Sequence, residues 1–179
     1  MEKVLKGKKI AIVIAIKDFK DEEYFTPKGI LESLGAEIKT FSNSLGLAIG
    51  SEGGEARIDN SIENISVDEF DALLFIGGQG ALAGLDNEAS YRLINSFFSS
   101  DKLIGAICIA PVILANAGVL KGKKATVWSS LLDKGPIKTI EEKGATYEDL
   151  DVVTDGNIIT AKGSAARDFG WSVVKSLTK

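Results

Sequence analysis

The chain has 179 residues, 45% hydrophobic and 26% charged, a globular composition with enough length to bury a core. Lysine and arginine number 21 against 25 acids, and the net charge of −4 excludes the basic excess expected of a nucleic-acid binder. Histidine is absent and cysteine occurs once, which excludes Ser-His-Asp and Cys-His catalysis, histidine metal ligation, an internal disulfide and cysteine metal clusters.

The start of the chain, Met1 to Lys9, is polar and basic, and the apolar stretch Ile10 to Ile16 is followed by charges from Lys17 to Glu23. That pattern is not a secretory signal, and with a lone thiol it leads us to expect a cytoplasmic protein. Leu103 to Leu120 is uncharged, but Gly105, Pro111, Asn116 and Gly118 interrupt it. A buried strand, a turn and a buried helix are expected there rather than a membrane span.

In chain order, Lys9 to Ile16 is a β-branched run suited to a strand covered on both faces. Glu22 to Leu34 has helical spacing, with Tyr24, Phe25, Ile30, Leu31 and Leu34 inward and Gly35 as its stop. Glu37 to Phe41 is the next strand, completing a βαβ unit. Leu45 to Ile49 and Ala56 to Ile58 are short strands flanking Gly53-Gly54. Ala72 to Ile76 is a buried strand ended by Gly77-Gly78, and Glu88 to Phe98 is an amphipathic helix. Leu103 to Ile107 is a strand, Ala110 to Ala117 a helix, Ala125 to Trp128 a strand and Pro136 to Lys143 a helix. Val152 to Thr154 and Ile158 to Ala161 flank the hairpin signal Asp155-Gly156-Asn157. Ser164 is expected to cap a last helix running to about Leu177. No linker or repeat divides residues 1–179, so a single α/β domain is expected: a three-layer sandwich with a mainly parallel sheet.

Three features carry chemistry. Cys108 stands where a buried strand runs into a helix opened by Pro111. Such a turn has the geometry of a nucleophile elbow, and the helix start favours a thiolate. A buried structural cysteine is the alternative. Asp21, Glu22 and Glu23 sit at the carboxyl end of the first strand. They either complement the helix dipole or meet Cys108 in the crevice above the sheet, where a carboxyl raised by burial donates a hydrogen bond to sulfur. Gly78, Gly80 and Ala83 satisfy a loose dinucleotide pattern, but the following strand ends at Ile107-Cys108-Ile109 without the ribose-binding acid. We expect no cofactor and no metal. The Gly78 and Ile109 N–H groups are instead candidate oxyanion donors, beside Gly77 at the same turn.

The Gly77-Gly78 turn, the run Ala106 to Pro111 with Leu114 to Lys123 after it, and Asp155 to Gly163 resemble the PfpI/ThiJ superfamily. That group includes the Parkinsonism-associated protein deglycase and archaeal intracellular proteases. The resemblance implies a flavodoxin-like sandwich, a homodimer, and an easily oxidised nucleophile matching Cys108. It also implies a partner glutamate four residues before a proline, which selects Glu23 (before Pro27) over Glu22. The chain departs from the pattern after the cysteine, where protease-type members carry histidine and Ile109 stands here, and at Thr126-Val127-Trp128, where glyoxalase-type members often carry one. Trp128 is read either as a pocket wall or as a core aromatic. Three functions follow: an enzyme in which Cys108 attacks a small reactive carbonyl or related electrophile with Glu23 moving protons; a non-enzymatic redox sensor or chaperone-like protein; and a cysteine peptidase, which lacks its histidine base. The expected partners are a small-molecule substrate and a second copy of the chain, with neither nucleic acid nor membrane.

Overall fold

The computed structural model describes residues 2–179. The long apolar runs form strands because each has two faces to bury. In β1 (Lys9–Val13) and the residues after it, Ile10, Ile12 and Ile14 enter one core while Ala11, Val13 and Ala15 enter the other. The same alternation divides β7 (Ala72–Phe75) and β8 (Leu103–Ile107) between the two cores.

A seven-stranded sheet results, in the order β11-β12-β8-β7-β1-β3-β6. Here β3 is Glu37–Ser42, β6 is Asn60–Ser61, β11 is Val152–Asp155 and β12 is Ile158–Ala161. All pairs are parallel except the β11–β12 hairpin. Helices α1 (Asp21–Ser33) and α6 (Ala166–Leu177) pack together over one face, at a close approach of Gly170 to Pro27. On the other face lie α3 (Glu88–Ser99), α4 (Pro111–Asn116) and α5 (Gly135–Glu142), with the five-residue α2 (Ala81–Leu85). This is a flavodoxin-like three-layer α/β sandwich. No helix among the described residues is long and apolar enough to cross a membrane.

A second sheet joins β2 (Lys17–Phe19), β4 (Leu47–Gly50) and β5 (Glu55–Arg57). Asp21 pins it to the start of α1, accepting the Glu52 and Gly54 N–H groups at 2.9 and 2.6 Å. Phe25, expected inward, is 41% exposed: it lies at the hairpin, edge-on to Phe19 and Tyr24, rather than under the helix.

Two other expectations differ. The strand over Ala125 to Trp128 shrinks to β9 (Lys124–Ala125), paired with β10 (Thr146–Tyr147). Beyond it the backbone leaves the ladder, because the Thr126 N–H donates to Thr160 Oγ1 and the Trp128 N–H to the Cys108 carbonyl. Ser164 caps no helix: a 3-10 turn over Gly163–Ala165 intervenes, and α6 starts behind Ala165.

Candidate active site

The strand order brings the carboxyl ends of β12, β8 and β7 side by side, and β1 leads from the same edge into β2 and α1. Crevices at that edge are where open α/β sheets bind ligands. Cys108 is the first residue beyond β8. Its φ is +63°, a left-handed conformation that costs a non-glycine residue about 1–2 kcal/mol. The neighbouring chains hold the strained turn: the Cys108 N–H donates to the Ala161 carbonyl at 2.8 Å, and the Cys108 carbonyl accepts from Trp128 at 2.8 Å. The side chain is thereby turned out of the sheet toward α1.

Glu23 meets it from the first turn of α1. Its residue is 2% exposed, and Oε2 accepts the Gly77 N–H at 3.1 Å. Two glycines make room for the pair. A Cβ on Gly77 would sit 2.7 Å from both Cys108 Cβ and Glu23 Oε2. A Cβ on Gly163 would sit 2.8 Å from Glu23 Oε1 and 3.0 Å from Cys108 Sγ. Gly78, at φ +112°, packs its backbone against Asp18 and Lys20. The glycine-rich turn thus serves close backbone packing, and Gly80 likewise lies against the Lys17 carbonyl.

The Glu23 carboxyl and the Cys108 sulfur face each other across Gly163, and the Ile109 and Gly78 N–H groups lie near the sulfur. Burial raises the Glu23 carboxyl from 4.5 to about 7, opposed by the neighbouring Cys108 thiol, by the Gly77 N–H and by the Lys20 charge. Burial also pushes the Cys108 thiol up to about 12, with the Glu23 carboxyl beside it adding to the rise and the two N–H groups opposing. The helix start read from the sequence is therefore outweighed, since α4 has only six residues and the sulfur stands beside a carboxylate. Ionisation of the thiol is tied to the proton on Glu23, because like charges in one dry site resist coexisting.

The pair opens into a cleft of about 710 Å³. Gly78, Ile109 and Trp128 line it; the tryptophan is 37% exposed, on the wall rather than in the core. Glu22 lines the rim and is exposed. Lys20, Lys162, Gly163 and Ser164 also line it, none singled out by sequence reasoning as a site residue. The available signal was positional: Lys162-Gly163 directly follows a strand of the same sheet edge.

A model described as the DJ-1/PfpI family matches residues 8–176. An uncharacterised protein of Methanocaldococcus jannaschii is 40% identical over 177 residues, 98% of this chain and 85% of that protein. Deglycase PfpI of Pyrococcus furiosus is 30% identical over 151 residues, 84% of this chain and 88% of the relative. The crystal structure of a ThiJ/PfpI domain protein from Brachyspira murdochii superposes with a TM-score of 0.90 at 33% identity, covering 96% of this chain and 97% of that one. By the span of the family match and by these identities, the chain belongs to the DJ-1/PfpI family.

Proposed function

We propose that this chain is a cysteine-dependent stress-protection enzyme acting on small reactive carbonyls, of the deglycase or glyoxalase type, with Cys108 as nucleophile and Glu23 as its proton carrier. The observation that carries the reading is the buried Glu23 carboxyl facing Cys108 at a strained elbow opening into a cleft. The relatives named deglycases support the substrate class. With no histidine in the chain, Glu23 carries each proton.

On an α-oxoaldehyde the Glu23 carboxylate takes the thiol proton, and the thiolate adds to the aldehyde carbon. The carbonyl electrons move to oxygen. The Gly78 and Ile109 N–H groups, released as the sulfur becomes a neutral thioether, hold that oxyanion until Glu23 protonates it. The carboxylate then moves the carbon-bound proton to the adjacent carbon through an enediol, leaving a thioester. Water hydrolyses the thioester to a 2-hydroxy acid and restores Cys108. Consumption of methylglyoxal tests the reading: Cys108→Ala should abolish it and Glu23→Gln should reduce it by about 10²-fold or more. Equal rates in the three proteins would overturn it.

A redox-sensor reading stands second, because a protonated Glu23 beside the sulfur would hydrogen-bond a sulfinate. Intact mass after mild peroxide reads it: an unmodified chain would discard it. The peptidase reading stands third for want of a histidine base. The homodimer implied by the resemblance has a candidate face in the exposed Leu45, Leu47 and Ile49 beside Phe25. A monomer in sedimentation of concentrated protein would remove that assignment.

A further inference from the structure

The two lysines of the cleft stand on opposite sides of Cys108. Lys162 leaves β12, the neighbour of β8, one residue after the carbonyl that accepts the Cys108 N–H. Lys20 lies on the other flank, its N–H donating at 3.1 Å to the carbonyl of Gly77, which follows β7. Their surroundings differ. Both acids that line the cleft among the described residues, Glu22 and Glu23, come from the first turn of α1, next in sequence to Lys20, and of the two Glu23 also reaches Gly163. On the other flank the lining is Lys162, Gly163 and Ser164, with Trp128 and Ser129.

Lys162 is also held in place. Its N–H donates to the Asp151 carbonyl at 2.9 Å, and its ammonium donates to Asp149 Oδ1 at 2.5 Å. The Tyr147 hydroxyl donates to the same Asp149 oxygen at 3.1 Å. Asp149 does not line the cleft; its side chain is 80% exposed, while that of Lys162 is 25% exposed. The carboxylate thus steers the lysine from outside and is heavily screened by water. An ammonium has three donors, so donors remain for a ligand.

We infer that Lys162 is a specificity-determining residue, selecting carbonyl compounds that carry an anionic group, a carboxylate or a phosphate, close to the reacting carbon. The inference rests on the proposed attack of Cys108 on a carbonyl carbon, and it refines that reading to charged substrates. The anion would lie on the β12 flank against Lys162 and the Ser164 hydroxyl.

The test does not depend on turnover. Iodoacetate and iodoacetamide deliver the same carbon to Cys108, one with a carboxylate and one without. The ratio of their alkylation rates, referred to the ratio for glutathione, is expected to be about fivefold higher in the protein and to fall as salt is added. Lys162→Gln should return it to the glutathione value. Lys138→Gln, an exposed lysine of α5, should leave it unchanged and controls for net charge. Protection of Cys108 from iodoacetamide by glyoxylate against glycolaldehyde, and by glyceraldehyde 3-phosphate against glyceraldehyde, separates a carboxylate from a phosphate preference. A ratio in the wild-type protein no higher than in glutathione, a ratio indifferent to Lys162→Gln, or charged carbonyls protecting no better than their neutral counterparts would each overturn the inference. Loss of methylglyoxal turnover in every form would touch only the enzymatic reading, since the alkylation ratio remains measurable.

Discussion

Replacing Glu23 with glutamine keeps the shape and the acceptor for the Gly77 N–H, and removes the charge facing Cys108. A like charge a few ångströms away at an effective dielectric near 20 opposes the thiolate by about 3 kcal/mol, roughly a hundredfold in acidity. Cys108 ionises near about 12 beside the charged carboxyl, so beside a neutral one it should ionise near about 10. With Glu23 itself at about 7, the tautomer holding thiolate and carboxylic acid makes up about one pair in a thousand.

Wild-type alkylation by iodoacetamide should therefore climb with pH to about 7, level off while that tautomer population stays constant, and climb again from about pH 9. In Glu23→Gln the climb should continue unbroken, reaching about ten times the wild-type rate near pH 8. The same variant loses carbonyl turnover, because its thiolate has no proton carrier. A stopped-flow pH series of alkylation decides the matter. A plateau that persists in the glutamine variant, or rates equal to wild type near pH 8, would refute the coupling of the two groups.

Two further outcomes follow from the same residues. Folding raises the Glu23 carboxyl from 4.5 to about 7. Its contribution to stability is therefore full below the unfolded value and lost as pH rises through about 7, a change of about 3 kcal/mol. Urea midpoints should show Glu23→Gln more stable than wild type near pH 8 by up to about 3 kcal/mol and little different near pH 4; a variant weaker near pH 8 would contradict the burial argument. At the elbow, with φ +63°, Cys108→Gly should unfold at higher urea than Cys108→Ala by the equivalent of about 1 kcal/mol, since glycine takes that conformation without strain and alanine does not. The reverse order would remove strain from the account of Cys108.

Much of the layout is legible in the sequence. Runs such as Ile10 to Ile14 and Leu103 to Ile107 announce buried parallel strands, because only a strand covered on both faces needs apolar side chains at every position. Strand ends marked by Gly77-Gly78 and Cys108, and the hairpin at Asp155-Gly156-Asn157, are local chemistry of the backbone and were readable as such. Where the reading slipped, a distant partner had decided the matter. Thr126 and Trp128 spend their N–H groups on Thr160 and Cys108 rather than on a strand, and Phe25 turns to the β4–β5 hairpin. Ser164 gives up capping to line the cleft.

The sequence alone determined the residue types available: one sulfur, no histidine, carboxyls at the start of the first helix, and a strand running into a helix at the cysteine. Tertiary structure alone decided their pairing and their charge. Strand order set β12, β8 and β7 side by side and brought Gly163 and Lys162 to the same edge, while the buried face of α1 put Glu23 rather than exposed Glu22 against the sulfur. Protonation followed from burial, a property of the folded surroundings that no local run of residues encodes.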